Sequence, residues 1–368
     1  MTASLSRADS ISRFIREAGW GEARIEALPG DASTRRYARL YLGEKTALLM
    51  DQPQHAESAT AGVNATPEER RALGYNALAR LAGADCGRFA AAAGYLRQRG
   101  LAAPDIYAAD LKEGLLLLED LGTDLYTDVI AGGGGEVPLY ETAIDALARL
   151  HAEPAPRSLA SGLPLFAYDE TALIAETGLL TEWFLPAALG RAATPSEITE
   201  HQALWREAIP LAVGNPVFVH RDYHAQNLIW RPREKGLLRA GLIDFQDALA
   251  GSPAYDLISL LEDARRDVPP ELARAMTERY LAATGAGRES FLASAAILAA
   301  QRNAKIIGIF ARLAKRDGKT RYLAHLPRVW RYMETDLSHP SLARLRSWYG
   351  RLIPKEARGI PAIAEKTA

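Results

Sequence analysis

The sequence predicts an α+β fold, with a small antiparallel sheet in its N-terminal part and a mainly helical C-terminal part. Residues 37–42 form an alternating segment, a glycine-containing turn follows at residues 43–45, and residues 46–50 are predicted as the next strand. Residues 104–109 and 114–119 are two further short apolar runs that suit the same sheet. From Val137 onward, apolar side chains recur mostly at helical spacing.

The length and charge of the chain narrow the class of protein. A chain of 368 residues is long enough for two domains or two lobes. With 44 Lys and Arg against 45 Asp and Glu, its charge indicates neither a nucleic-acid nor a membrane partner. The only cysteine, Cys86, excludes an internal disulfide, and the apolar stretch 291–300 is too short to span a bilayer. The N-terminal residues lack the apolar run of a signal peptide, so we expect a cytoplasmic protein. We also expect it to be a monomer.

The first part of the chain predicts a helix and then a loop that can contact phosphates. Asp9 or Ser10 is expected to cap the helix, and Gly19 to end it. The loop carries three residues whose N–H groups and hydroxyls can surround the phosphates of ATP: Gly30, Ser33 and Thr34. By itself this stretch is equally well interpreted as an ordinary hairpin loop.

The next strand lacks a residue that a kinase site would need. A phosphate-binding lysine is expected on this strand, but residues 47–51 contain none. The helix predicted at residues 85–99 also lacks the glutamate that would pair with it. Because both partners are missing together, we expect Arg35 or Arg36 to supply the cation for the phosphates. The alternative for each arginine is a solvated charge at a strand edge.

Several segments between the sheet and the central motif are assigned by pattern alone. Residues 52–66 are polar and alanine-rich, which indicates a flexible loop, and Pro67 begins a helix predicted to extend to residue 81. Residues 139–151 and 171–184 are predicted helices. His151 is expected to be a core or helix-end residue and not a metal ligand.

Residues 119–122 resemble the hinge of a two-lobed enzyme, because an apolar strand gives way to a glycine turn. The backbone of Glu119 and Leu121 would then hydrogen-bond adenine. This hinge divides a nucleotide-binding lobe, 1–121, from a lobe with the catalytic and acceptor-binding residues, 122–368.

The central motif is a strand, a polar loop and a second strand. Apolar residues 217–219 lead into His220-Arg221-Asp222, and a second apolar run follows directly after Asn227. A phosphoryl-transfer site needs a carboxylate that accepts the proton of the attacking hydroxyl and a neutral oxygen ligand for Mg²⁺. Asp222 and Asn227 have the kinase H-R-D-x-x-x-x-N spacing.

A second carboxylate, Asp244, completes the predicted group of catalytic and metal-binding residues. Residues 241–243 are apolar and end at Asp244, in a D-F-Q sequence that replaces the kinase D-F-G, at a distance that fits a hairpin. We therefore predict that Asp222 is catalytic and that Asn227 and Asp244 are Mg²⁺ ligands. The alternative is a hairpin in which these residues only make turns.

Two features are predicted in the remaining chain. Asp256 is expected either to be buried and to accept N–H groups of the 220–222 loop, or to be a plain helix cap. Between Gln301 and Tyr332, nine Lys or Arg stand against the single acid Asp317, which suits an anionic acceptor. For any one of these cations, simple exposure to water is the better interpretation.

With these residues in view, the chain resembles the aminoglycoside phosphotransferase family, which has the protein-kinase-like two-lobed fold. The resemblance extends over about residues 30–332, and its specific parts are 220–227, 242–248 and 253–257. Within the family, the chain is similar to bacterial kinases that act on the anomeric hydroxyl of amino sugars. That closer similarity rests on residues 30–37, 50–51, 243–247, 301–313 and 316–319. In this subgroup Met-Asp stands in place of the missing lysine, and 52–81 resembles an insertion.

The resemblance implies transfer of the γ-phosphoryl group of ATP to the anomeric hydroxyl of N-acetylmuramate or N-acetylglucosamine. Asp222 would take the hydroxyl proton while Asn227 and Asp244 hold Mg²⁺. One of three cations would bind the lactyl carboxylate of N-acetylmuramate: Arg302, Lys305 or Arg312. Further candidates for the sugar are Glu182, Trp183 and Asn303.

Other functions stay open at this point. An aminoglycoside kinase would need an acidic acceptor lobe, and a choline kinase an aromatic cage with acids, which the sequence does not plainly contain. A homoserine kinase is a further possibility. A nucleotide-binding pseudokinase scaffold would explain the missing lysine, but the presence of Asp222, Asn227 and Asp244 together favours an active enzyme.

Overall fold

The computed structural model describes residues 6–29, 35–53, 60–159 and 161–361. Its internal contacts divide the chain into two units, each assembled from separate stretches of sequence. Unit 1 comprises Met1–Leu150, Arg157–Leu165 and Ala225–Ala248. Unit 2 comprises His151–Pro156, Phe166–His224 and Leu249–Ala368. Because these units are discontinuous in sequence, the division into lobes 1–121 and 122–368 stays a prediction.

Within the described residues the chain forms nine strands and fourteen α-helices. The strands are β1 (Arg24–Ala27), β2 (Arg36–Leu42), β3 (Lys45–Asp51), β4 (Ile106–Asp110), β5 (Leu115–Glu119), β6 (Val217–Val219), β7 (Leu228–Trp230), β8 (Ala240–Leu242) and β9 (Leu249–Gly251). The helices of unit 1 are α1 (Arg7–Glu17), α2 (Pro67–Leu73), α3 (Tyr75–Leu78), α4 (Cys86–Gln98), α5 (Tyr126–Ala131) and α6 (Glu136–Leu150). Those of unit 2 are α7 (Glu170–Leu179), α8 (Leu185–Leu189), α9 (Pro195–Ala208), α10 (Ala254–Leu261), α11 (Pro270–Thr284), α12 (Arg288–Asp317), α13 (Leu326–Asp336) and α14 (Ala343–Leu352).

Unit 1 contains a five-stranded antiparallel sheet in the order β1-β2-β3-β5-β4. The four strands that the sequence predicts for this sheet, β2, β3, β4 and β5, are all present. The edge strand β1 was not predicted, because all four of its side chains are exposed and its sequence has no buried face to signal a strand. Phe14 and Ile15 of α1 pack against Leu40, Leu49 and Leu117 of the sheet, which gives the sheet a covered apolar face.

Two predicted helix boundaries are wrong, each for a local reason. Helix α1 begins one turn earlier than expected, because Ser6 is the N-cap and Asp9 is its reciprocal partner in a capping box. The helix predicted over residues 67–81 is interrupted at Gly74, whose φ of 101° is incompatible with a continuous helix. Residues 54–59 of the predicted flexible loop lie outside the described residues.

The second part of unit 1 is the hairpin of β7 and β8, which was predicted from the spacing of the motif. Leu228 pairs with Leu242 and Trp230 with Ala240. Strand β6, in unit 2, does not pair with β7 but forms an antiparallel pair with β9. The polar loop after β6 therefore does not close a hairpin between the two strands that flank it in sequence.

Unit 2 is built around the long helix α12, which contacts α7, α10 and α13. At Gly308 of α12 a Cβ atom would lie 2.3 Å from the backbone carbonyl carbon of Leu179, so only glycine permits this approach to α7. The segment Glu170–Leu189 is long and apolar enough to cross a membrane by length and composition, but half of its tested window is buried within the protein. It consists of α7, a π-helical turn (Leu180–Phe184) and α8, and it packs on α12 as a core element.

Candidate active site

In unit 2, the loop of residues 220–222 is held by the buried carboxylate of Asp256. This side chain is fully buried on α10, and it accepts the N–H of His220 at 2.6 Å and the N–H of Arg221 at 2.8 Å. Arg221 has a φ of 79°, a left-handed conformation that is costly for a residue with a Cβ. The prediction that Asp256 fixes this loop is confirmed. The alternative of a plain N-cap is wrong, because Pro253 occupies the cap position.

A buried network of charges lies around the same loop. Glu176 of α7 is fully buried and accepts Nη2 of Arg221 as well as Nζ of Lys305, the latter at 3.1 Å. Its second oxygen accepts the hydroxyl of Tyr168 and, at 2.9 Å, Nε2 of Gln301. Burial by itself would raise the pKa of Glu176, but Lys305 and Arg221 outweigh it and hold this pKa at about 2. Glu176 is therefore an ionised anchor shared by two cations.

Asp222 lies in the field of these cations. Burial raises the pKa of its carboxyl group, but the charge of Lys305, followed by that of His224 when protonated and that of Arg221, lowers it below its ordinary value. The carboxylate is consequently ionised at neutral pH and can accept a proton or orient a hydroxyl. Among the opposing charges Lys305 has the largest effect, which links α12 to the chemistry available at Asp222.

His151 belongs to the support of this loop. It is buried, its Nδ1 lies 2.8 Å from the hydroxyl of Tyr280, and its Nε2 lies 3.4 Å from Oδ2 of Asp256. The prediction of a core histidine is confirmed by these contacts.

In unit 1, the β7–β8 hairpin positions Asn227 and Asp244. Asn227 directly precedes β7, Asp244 follows β8, and the N–H of Ile243 donates to the carbonyl of Asn227 at 3.2 Å. The two side chains approach each other, with 3.4 Å between Nδ2 of Asn227 and Oδ2 of Asp244. Asp244 has a φ of 64°, which turns the chain directly after the strand. This arrangement confirms the predicted hairpin geometry.

The same group of side chains can hold a divalent cation. Carboxylate and amide oxygens suit Mg²⁺, and phosphates commonly complete its shell. The neighbouring Gln246 is buried and donates from Nε2 to Oδ1 of Asp244 at 3.0 Å, while its Oε1 has no hydrogen-bond partner in the part of the chain that the structure describes. The described residues contain no group of three or more His, Cys, Asp or Glu suited to a metal. A cation here would therefore depend on Asn227, Asp244 and oxygens from a ligand.

The structure separates the two arginines that were expected to replace the lysine. The side chain of Arg35 is 11% exposed, and its Nη2 lies 3.2 Å from Oδ1 of Asp244. Arg36 is exposed at the start of β2, opposite Asp51 of β3. Arg35 is thus beside the carboxylate that would meet a metal. Three other predicted phosphate contacts, Gly30, Ser33 and Thr34, lie outside the described residues.

The predicted hinge residues lie at the end of β5 and directly after it. The N–H of Glu119 donates to the carbonyl of Asp105 at 2.8 Å, and its carboxylate lies 3.3 Å from Nη2 of Arg231. Leu121 is buried and is followed by Gly122, whose φ of 107° turns the chain.

The predicted acceptor residues lie in unit 2, where several are engaged internally. Arg302 is buried and donates to the carbonyl of Glu262 at 3.3 Å and to Oγ of Ser259 at 3.0 Å. Asn303 is buried and donates to Glu262 and Asp336, at 2.9 Å in each case. The remaining candidates are arranged as follows: Lys305 binds Glu176, Arg312 is half-buried on α12, Glu182 is exposed and Trp183 half-buried in the π-helical turn.

The basic segment between Gln301 and Tyr332 is not a free positive surface. Arg328 and Arg331 both pair with Asp267 at 2.8 Å, and Asp267 lies outside the segment. Lys305 is likewise compensated by Glu176 from α7. The expectation that the excess of cations itself marks an anionic acceptor is therefore weakened, since partners distant in sequence neutralise part of it.

Sequence reasoning missed Glu176, although a signal was present. It is one of three glutamates in the apolar segment 170–189, and a glutamate is rarely buried unless it is paired. Gln246 and Tyr168 were also missed, and neither has a sequence signal of this kind.

The family follows from the extent of a match to the sequence. A model of the phosphotransferase enzyme family matches residues 24–292, which is most of the chain. The chain belongs to the phosphotransferase enzyme family. This phosphotransferase is 45% identical over 363 residues to the N-acetylmuramate/N-acetylglucosamine kinase of Caulobacter vibrioides, covering 97% of the chain and 100% of the relative. A protein of the same name from Pseudomonas aeruginosa is 36% identical over 361 residues, which cover 95% of the chain and 94% of the relative.

Solved structures show the same fold. A choline/ethanolamine kinase family protein from Mesorhizobium loti superposes with a TM-score of 0.55 at 14% identity, over 93% of this phosphotransferase and 98% of that chain. The ternary complex of streptomycin, ATP and APH(2")-IIa gives a TM-score of 0.53 at 14% identity, over 87% and 97% of the two chains. At such identity the likeness concerns the fold alone. The predicted α+β, protein-kinase-like two-lobed fold is confirmed.

Proposed function

We propose that this phosphotransferase transfers the γ-phosphoryl group of ATP to the anomeric hydroxyl of N-acetylmuramate and N-acetylglucosamine, giving the α-1-phosphate. The observation that carries the proposal is the 45% identity over 97% of the chain to a kinase named for these two sugars. The ionised Asp222 beside a buried cation and the Asn227–Asp244 pair are the side chains that this chemistry needs.

Asp222 orients the anomeric hydroxyl and takes its proton as the phosphoryl group is transferred. Its lowered pKa keeps it ionised, and the 220–222 loop is held by Asp256, so the carboxylate is placed before substrate binds. Phosphoryl transfer asks mainly for positioning and charge neutralisation, which fits a rigid loop with an ionised carboxylate.

Asn227 and Asp244 would hold Mg²⁺, which when bound neutralises charge on the β- and γ-phosphates. Arg35, which pairs with Asp244 at 3.2 Å, is the cation that we assign to the phosphates in place of the missing lysine. Arg36 is exposed and is the weaker candidate. Gly30, Ser33 and Thr34 remain proposed phosphate contacts, as do the backbone groups of Glu119 and Leu121 for adenine. The N–H of Glu119 is used within the sheet, so its carbonyl is the group expected to meet adenine.

The acceptor site is proposed in unit 2, near Asp222. Trp183 offers an aromatic face and Glu182 an exposed carboxylate for sugar hydroxyls. Arg302 and Asn303 are buried and hydrogen-bonded, and the half-buried Lys305 is paired with Glu176, which favours roles in shaping the site over direct contact with the sugar. Arg312 remains a candidate for direct contact.

This reaction would serve peptidoglycan recycling, by returning cell-wall sugars towards UDP-sugar precursors. We place the protein in the cytoplasm, where ATP is available, and expect a monomer that acts on a small molecule without a nucleic-acid or membrane partner.

The test is an NMR assay with Mg·ATP and, in parallel, N-acetylmuramate, N-acetylglucosamine or kanamycin. A sugar phosphate whose ³¹P signal couples to the anomeric proton is expected, and it should be absent with the Asp222→Ala variant. Phosphorylation of kanamycin alone would instead establish an aminoglycoside kinase. Nucleotide binding without transfer to any acceptor would indicate a scaffold.

A further inference from the structure

N-acetylmuramate differs from N-acetylglucosamine by a lactyl group at C3, which carries a carboxylate. Binding of this carboxylate requires a cation near Asp222 that is not already paired with a carboxylate of the protein. Lys305 is paired with Glu176, and Arg328 is paired with Asp267. Arg302 is buried and donates to protein oxygens. These cations are therefore already engaged within the unit.

Arg265, in the segment between α10 and α11, has a different environment. Its side chain is half-buried, and it forms no ion pair with a carboxylate among residues 6–29, 35–53, 60–159 and 161–361. Its side-chain contact is from Nη1 to Nε2 of His224, at 3.4 Å. A half-buried guanidinium without a counter-ion is stabilised when an anion reaches it.

The imidazole of His224 does not compensate this charge. Burial lowers the pKa of His224 to about 4 although Asp263 opposes the shift, so the ring is neutral near neutral pH. Arg265 and Arg302 lower this pKa, whereas Asp263 and Asp222 raise it, so groups of both charges surround the ring. An anionic group of a ligand would be attracted to the guanidinium of Arg265 itself.

The position is close to the proposed reacting centre. His224 lies two residues after Asp222, and its N–H donates to the carbonyl of Asp222 at 3.1 Å. The N–H of Arg265 donates at 2.8 Å to Oδ1 of Asp263, which is fully buried and fixes the start of the arginine side chain. In the sugar ring, C1 and C3 are separated by one carbon. A sugar with its C1 hydroxyl at Asp222 thus carries its lactyl group only a few ångströms away.

We propose that Arg265 binds the lactyl carboxylate of N-acetylmuramate and thereby sets the preference for this sugar over N-acetylglucosamine. The assignment rests on the proposed function, because it presupposes that both sugars are acceptors. It replaces Arg302 and Lys305 as the carboxylate contact, since both are engaged by protein oxygens, whereas Arg265 forms no ion pair with a carboxylate in the described part of the chain.

The test compares both sugars in the same variants. In Arg265→Ala and Arg265→Gln, kcat/KM for N-acetylmuramate should fall roughly 10- to 100-fold, as expected for the loss of one charge-assisted contact. The value for N-acetylglucosamine should change by no more than about twofold, because this sugar has no group for Arg265 to bind. Arg265→Lys should restore part of the N-acetylmuramate activity. Arg331→Ala is the matched control and should affect neither sugar, since the exposed Arg331 side chain has Asp267 as its one ion-pair partner among the described residues.

Equal losses with both sugars would overturn the assignment and indicate that Arg265 only shapes the loop through His224. Unchanged kinetics with N-acetylmuramate would overturn it as well. If the wild-type protein phosphorylates neither sugar, the proposed function fails and the assignment fails with it. Retained N-acetylglucosamine kinase activity in the Arg265 variants also demonstrates that they are folded.

Discussion

Replacing Asp256 by asparagine tests whether this buried carboxylate holds the 220–222 loop. The carboxylate accepts two backbone N–H groups, from His220 at 2.6 Å and Arg221 at 2.8 Å. An asparagine has the same shape, but its NH₂ group must face one of these donors. The variant therefore loses one charge-assisted hydrogen bond, which contributes about 1.5–3 kcal/mol, and leaves a buried donor unsatisfied at a cost of about 1–3 kcal/mol.

The expected loss in the free energy of unfolding is thus about 2.5–6 kcal/mol. Part of it is offset where Arg221, with a φ of 79°, relaxes towards an ordinary conformation. That relaxation would move Asp222, and a displacement of about 1 Å at a reacting group can reduce kcat about 100-fold. KM for ATP should change little, because Asp256 is not among the proposed nucleotide contacts.

Urea unfolding followed by circular dichroism measures the stability, and a coupled ADP-release assay with saturating sugar measures kcat. Asp317→Asn is the matched control: its exposed carboxylate pairs with Arg316 at the end of α12 and should contribute less than about 1 kcal/mol. If Asp256→Asn destabilised no more than Asp317→Asn and retained full kcat, the assigned role of this carboxylate would be refuted.

Three further predictions follow from the site and the core. Lys305→Met removes the charge that most lowers the pKa of Asp222, so this pKa should rise and the acidic limb of the pH profile of kcat/KM should move to higher pH. An acidic limb that stays in place would contradict this coupling. Arg35→Ala should raise KM for ATP about tenfold or more, while Arg36→Ala, which removes an equal but exposed charge, should not; equal effects would disprove the distinction. Burial lowers the pKa of His201, on α9, to about 3. The contribution of its neutral ring to stability is therefore present above about pH 6.5 and is lost as the pH falls towards 3, by up to ~1.4 kcal/mol per pH unit. In urea unfolding between pH 4.5 and 6.5, His201→Gln should weaken this dependence, and an unchanged slope would assign it to other groups.

Local signals in the sequence were sufficient for much of the fold and for part of the candidate site. Alternation predicted strand β2, the segment after the following turn was predicted as β3, and apolar runs predicted β4 and β5. The spacing of the motif predicted the β7–β8 hairpin that brings Asn227 and Asp244 together. These features depend on contacts between residues close in sequence, so their pattern can be recognised from the sequence alone. Strand β1 escaped prediction because its side chains are exposed, and a strand without a buried face leaves no alternating pattern.

The sequence by itself determined which side chains are available for phosphoryl transfer, because the chemistry requires particular groups at particular spacings. Only the tertiary structure decided which of the charged side chains are paired with a group of opposite charge and which are not. The lysine and arginines of α12 form a basic stretch in sequence, yet Lys305 meets Glu176 of α7 inside the protein. Arg265, in contrast, has no special pattern around it but is left without a carboxylate partner among the described residues. Ion pairs join residues that are distant in the chain, and burial sets how strongly each charge is felt, so neither can be read from composition or spacing.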